Sequence, residues 1–213
     1  MATTLYVDKS FTAENCGADF GVTKFATIND AIGAASTSEE NTIILSEGTY
    51  DDVVYLRTQN FSGVSKAIYA ENIIEQKGNI VIKAADGAEV VLTGQWFCGE
   101  RVSGTVAVDQ WKAELTFDRI VFDSTALDGA GNTNGNLFIP NIQKLNLNNC
   151  TFTGVGYGVN SRGSSPTDVC FTGCTIENSI GVNGDVAFEG CTFQDCVDAE
   201  GNILNTASVN IQT

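Results

Sequence analysis

From Leu115 to Phe193 the alternation of apolar and polar residues forms one unit that returns four times. Apolar residues fall at Leu115, Phe117, Ile120 and Phe122, and again at Leu145, Leu147, Cys150 and Phe152. They return at Val169, Phe171, Cys174 and Ile176, then at Val186, Phe188, Cys191 and Phe193. Each half of the unit alternates with period two, which predicts a short strand with one buried face. Two polar residues separate the halves, and the second of them is Asn149, Gly173 or Gly190, residue types that tolerate positive φ. A tight bend is expected there, with Arg119 as the exception. Copies begin 30, 24 and 17 residues apart, and a fifth opens at Val209 and Ile211. A constant strand core with loops of varying length predicts a solenoid, its strands stacked in parallel about 4.8 Å apart.

Upstream, Thr4–Asp8 predicts an opening strand and residues 9–24 a loop. Thr27 followed by Asp30 is close to a capping box. Ile28, Ala31, Ile32 and Ala35 recur at helical spacing, so one short amphipathic helix is expected through about Ala35. It is the expected cap for a first coil with nothing beneath it. Thr42–Leu45, Glu47–Tyr50 and Val53–Leu56 then predict the first coil strands. Ile80–Ile82 and Val90–Leu92 predict two sides of one coil. Between Leu56 and Ile80, residues 61–64 read as a loop and Ile68–Ile74 as a strand or turn.

The order of Phe25, Thr27, Ile28, Ala31, Ile32 and Ala35, followed by Thr42–Leu45, Gly48–Tyr50 and Val54, resembles the opening of pectin-lyase-like right-handed parallel β-helix proteins. Pectin methylesterases share that opening. With the repeats, the resemblance covers roughly residues 5–56 and 78–211. It implies an all-β, right-handed parallel β-helix with a short N-terminal capping helix, as a single domain over residues 1–213. Residues 1–40 would supply the first strand and the cap, and 41–213 the coils, open at the C-terminal end. The resemblance says little about activity, because the shared segment builds the cap and first coil. Asp51 and Asp52 follow Gly48–Tyr50, where the esterase resemblance implies an acid of structural use.

Composition narrows the partners. The net charge is −15, and from Val121 onward Lys144 and Arg162 face nine acidic residues. Such a surface repels nucleic acid and anionic membranes, and disfavours a bare polyanionic sugar unless calcium bridges the two. Carboxylates are plentiful for calcium, yet no Asp-x-Asp-x-Asp loop or Gly-Gly-x-Gly-x-Asp repeat is present, so no cofactor is expected. With no His and no zinc-type CxxC pair, no metal site is expected either. No apolar run approaches a membrane span, and Met1–Thr4 lacks a basic or hydrophobic leader. The unfinished last repeat is read as an excised piece of a longer exported chain, located outside the cell or on its surface.

Seven cysteines are present. Cys150, Cys174 and Cys191 share the inward position of Ile120 and are expected to stack as small buried hydrophobes. Cys170 should point outward. Thr151, Thr175 and Thr192 should form an outward ladder, broken at Val121. Such ladders can order water or ice, although threonine is also a good strand residue. Trp96 and Trp111 are expected as buried filler rather than as sugar-stacking platforms.

Candidate chemistry is thin. Asp128–Asn136 is a nearly featureless insertion. Gly154–Pro166 reads as a loop that brings Tyr157, Asn160 and Arg162 together, and these are the ligand-binding candidates. A lyase needs a base with a cation, and a glycosidase needs two spaced carboxylates. Asp118 and Asp123 are the nearest carboxylate pair, yet one rung on Asn148 and Thr153 would replace them. No catalytic residue is therefore assigned. The expected function is a non-catalytic β-helix segment of a larger bacterial surface protein. It would serve as an adhesin stalk or display scaffold, with a glycan or protein ligand on a host or cell surface and end-to-end self-stacking as one variant. The alternative is a polysaccharide lyase or pectinesterase relative working through Asp118, Asp123, Lys144, Tyr157 and Arg162.

Overall fold

The computed structural model describes residues 2–56, 73–98, 100–101, 108–109, 111–125, 137–138, 142–153, 157–160, 168–177, 181–183, 187–189, 192–194, 196–197 and 203–204. The chain is all-β, built from strands in parallel sheets with two short α-helices among the described residues. Period-two alternation fixes the strands, and every odd position of Trp111–Asp118 from Trp111 to Phe117 is buried.

Three parallel sheets carry the architecture. The first has eight strands, the second and third six each. Among the described residues the chain visits them in the same order five times. The first pass is Asn41–Leu45, Gly48–Tyr50 and Val54–Leu56; the second is Ile80–Ala84, Val90–Leu92 and Trp96–Cys98. The third is Trp111–Asp118, Val121–Asp123 and Leu137–Phe138; the fourth is Ile142–Asn148, Thr151–Thr153 and Tyr157–Asn160. Asp168–Thr172, Thr175–Glu177 and Gly181–Asn183 form the fifth, and Ala187–Glu189 with Thr192–Gln194 add one strand more to each of the first two sheets.

Because each strand pairs with its counterpart in the next pass, inward residues line up in columns. Leu5, Ile43, Ile82, Phe117 and Leu147 are successive register partners, all essentially buried. Tyr50, Leu92, Phe122 and Phe152 form a second buried column, and Val54, Trp96 and Leu137 a third. The aromatic rings meet at the centre. Phe122 and Phe152 stack at 4.7 Å, while Phe117 meets Trp96 and Phe122 edge-on at 5.0 and 5.1 Å. Such pairs add about 0.5–1.5 kcal/mol beyond area burial.

Ile120, Cys150 and Cys174 are each 1% exposed in one inward column, as the repeat predicts; Cys191 lies outside the described residues. The bends that precede them are joined rung to rung. Arg119 N donates to Asn148 O at 2.9 Å, and Asn149 N to Thr172 O at 2.8 Å. Asn149 and Gly173 have φ of 52° and 62°, and Arg119 adopts 58° despite its side chain. Its guanidinium lies over the preceding turn, 3.1 Å from Asp86, 3.2 Å from Asp118 and 3.0 Å from Ala84 O.

At the N-terminal end, Thr3–Val7 and Lys24–Phe25 extend the first sheet below Asn41–Leu45. The helix Ile28–Ala34 buries Ile28, Ala31 and Ile32 against them. Thr27 accepts from Asp30 N at 3.1 Å and donates to the Asp30 carboxylate at 2.6 Å, so the expected N-cap is present. Asn41 is buried, and its amide bonds Ser36, Glu39 and Asn79 backbone atoms at 2.7–3.3 Å, fixing the link into the first pass.

Several elements depart from expectation. The stretch expected as a loop over residues 9–24 contains a four-residue helix, Ala13–Cys16, because Thr12 and Asn15 form a reciprocal capping box. Ile73–Ile74, inside the stretch expected as a strand or turn, does form a strand, paired in parallel with Val54–Leu56 at the edge of the third sheet. Glu100–Arg101 with Val108–Asp109, and Cys196–Val197 with Ile203–Leu204, form antiparallel ribbons outside the cyclic pattern. The insertion 128–136, residues 61–64 and the last copy at Val209 lie outside the described residues.

Candidate functional site

The outward faces follow from the same register that builds the core. On the first sheet Ile44, Lys83, Asp118, Asn148, Thr172 and Glu189 occupy one column of register positions. On the second, Thr49, Val91, Val121, Thr151, Thr175 and Thr192 do so. The expected threonine ladder therefore exists as a register, with valine at two of its earlier rungs.

Asn148 and Thr153 stand opposite Asp118 and Asp123, as expected from the spacing. The two aspartates lie on adjoining sheets, on either side of the Arg119 bend. Asp118 is engaged by Arg119 Nε and, at 3.3 Å, by Asn149 Nδ2. Asp123 accepts from Thr125 N at 2.9 Å. Lys144 does not join them: it pairs with Glu114 at 3.3 Å, four positions before Asp118, roughly 13 Å along the strand.

Tyr157 and Asn160 do not sit on a loop. They are the first and last residues of a strand in the third sheet, between Leu137–Phe138 and Gly181–Asn183. The pairing register with Gly181–Asn183 shifts between Tyr157 and Val159. Arg162 lies outside the described residues. Trp96 and Trp111 are both fully buried, which removes them as sugar platforms; Trp111 Nε1 is buried without a hydrogen-bond partner.

The network that sequence reasoning missed lies on the first sheet. Glu114 meets both Lys144 and Asn146, and Asn146 Nδ2 also donates to Thr116 Oγ1 at 3.2 Å. Beside it, the side chains of Gln76 and Asn79 accept from Lys112 N and Glu114 N at 3.0 Å, replacing strand partners where Ile80–Ala84 has not yet begun. Only the pairing register reveals this group, because its contacts join residues 30 to 36 positions apart in sequence.

A second cluster surrounds the capping helix. Asp52 Oδ1 accepts from Ile28 N at 3.2 Å, and Asp51 pairs with Lys9 at 3.2 Å. Burial raises the Asp52 carboxyl above its ordinary value, against backbone hydrogen bonds from Asn29 and Ile28 that lower it. The Lys9 side chain lowers Asp51, and the Ser10 hydroxyl and amide lower Asp8. Tyr50 donates to Ser46 O at 2.9 Å and is pushed up to about 12 by burial, then by Asp8 and Asp52. These contacts give both aspartates a structural use.

Among the described residues no group of three or more His, Cys, Asp or Glu is placed to hold a metal ion, and no helix is long and apolar enough to cross a membrane. No family model, curated protein or solved structure matches the chain.

Proposed function

We propose that the chain winds as a right-handed parallel β-helix and serves as a non-catalytic scaffold within a larger bacterial surface protein. Its lateral segments would present a glycan- or protein-binding surface as an adhesin stalk does. The winding is supported by the fixed order in which successive passes enter the three sheets. Right-handedness follows from the general rule that parallel crossovers within one sheet are right-handed in about 98% of cases. The resemblance of residues 25–54 to pectin-lyase-like proteins agrees with it.

The observation that carries the scaffold reading is that several described charged groups on the outward faces are engaged with one another. Glu114 pairs with Lys144, Arg119 with Asp86 and Asp118, Lys9 with Asp51, and Asp52 caps a helix. A rigid frame with settled surface charges suits display, and loops rising from such a frame are the usual place for recognition. In this reading the chain needs no cofactor and works outside the cell.

The test is a pair of screens on the purified protein. Probing glycan and host-protein arrays should give reproducible binding that Tyr157→Ala or Arg162→Ala weakens. Incubation with pectins, alginates and chondroitins should leave them uncut. Cleavage or de-esterification of any of them would overturn the scaffold reading in favour of a carbohydrate-active enzyme.

A further inference from the structure

We draw no further inference here: the strongest candidate, the surface patch around the exposed Tyr6, Phe20 and Val22 where Lys24–Phe25 edges the first sheet, carries no proposal because nothing in the structure shows what covers it.

Discussion

A Cβ placed on Gly94 would stand 2.0 Å from the carbonyl oxygen of Asp52, and one on Gly78 would stand 2.0 Å from that of Glu39. Backbone from one pass runs directly against backbone of the next, and neither carbonyl can swing aside. Gly94→Ala and Gly78→Ala should each cost about 1–3 kcal/mol, the usual penalty for forcing atoms into a packed site. Gly33, by contrast, lies in the capping helix with nothing within 4 Å. Gly33→Ala should stabilise by about 0.5–1 kcal/mol through helix propensity. Urea unfolding of the three variants checks the contrast, and equal effects at all three would contradict the register. Sequence alone marks these glycines only as turn residues, since the clash partner lies about 40 positions away. The left-handed turn at Arg119 was equally hidden: an arginine there argues against positive φ, and the Asp86 partner that steadies it lies 33 residues earlier.

At the scale of elements, the capping helix and the corner it rests on carry opposite pH responses. A carboxyl raised in the folded state, as burial raises Asp52, contributes most below its unfolded value near 3.9. That contribution is lost as pH rises through the folded value. Asp8 runs the other way: lowered by Ser10, it contributes above the unfolded value and loses that contribution as pH falls through the lowered one. Relative to the native chain, Asp52→Asn should therefore become more favourable as pH rises from 4 towards 7. Asp8→Asn should become less favourable as pH rises from 2 towards 4. Denaturant unfolding across that range reads both slopes, and parallel profiles would contradict the assignments.

The helix itself was legible, because Thr27, Ile28, Ala31 and Ile32 give both a cap and a buried stripe. The strand Tyr157–Asn160 was not. Val155, Tyr157 and Val159 keep a period of two, but the intervening Gly154, Gly156 and Gly158 are poor strand formers, so the segment reads as a loop while the sheet still recruits its backbone. The two antiparallel ribbons are built from two-residue strands, too short for any period to show.

Across the whole molecule, what holds one pass to the next is the alignment of inward side chains. Phe152→Ala removes a ring stacked at 4.7 Å on Phe122 and 1% exposed, and should cost about 3–5 kcal/mol. Thermal and urea unfolding report that loss, and a change below 1 kcal/mol would mean the column is not continuous. This level was the most legible in sequence, since Ile120, Cys150 and Cys174 sit in the one position where a polar bend must be followed by a buried residue. The candidate site was the least legible. The sequence places Tyr157 and Asn160 on a loop with Arg162, whereas the Glu114–Lys144–Asn146 network arises only from pairing between passes.

The claim on which the rest depends is parallel, in-register pairing between successive passes. NMR on the isotopically labelled chain tests it most directly, through long-range contacts between backbone amide and Hα protons. The account predicts contacts linking Val121 with Thr151, Thr151 with Thr175 and Thr175 with Thr192, in the offset pattern of parallel strands. Close Hα–Hα contacts of antiparallel pairing between these segments, or a one-residue shift that turns Cys150 and Cys174 to solvent, would contradict it.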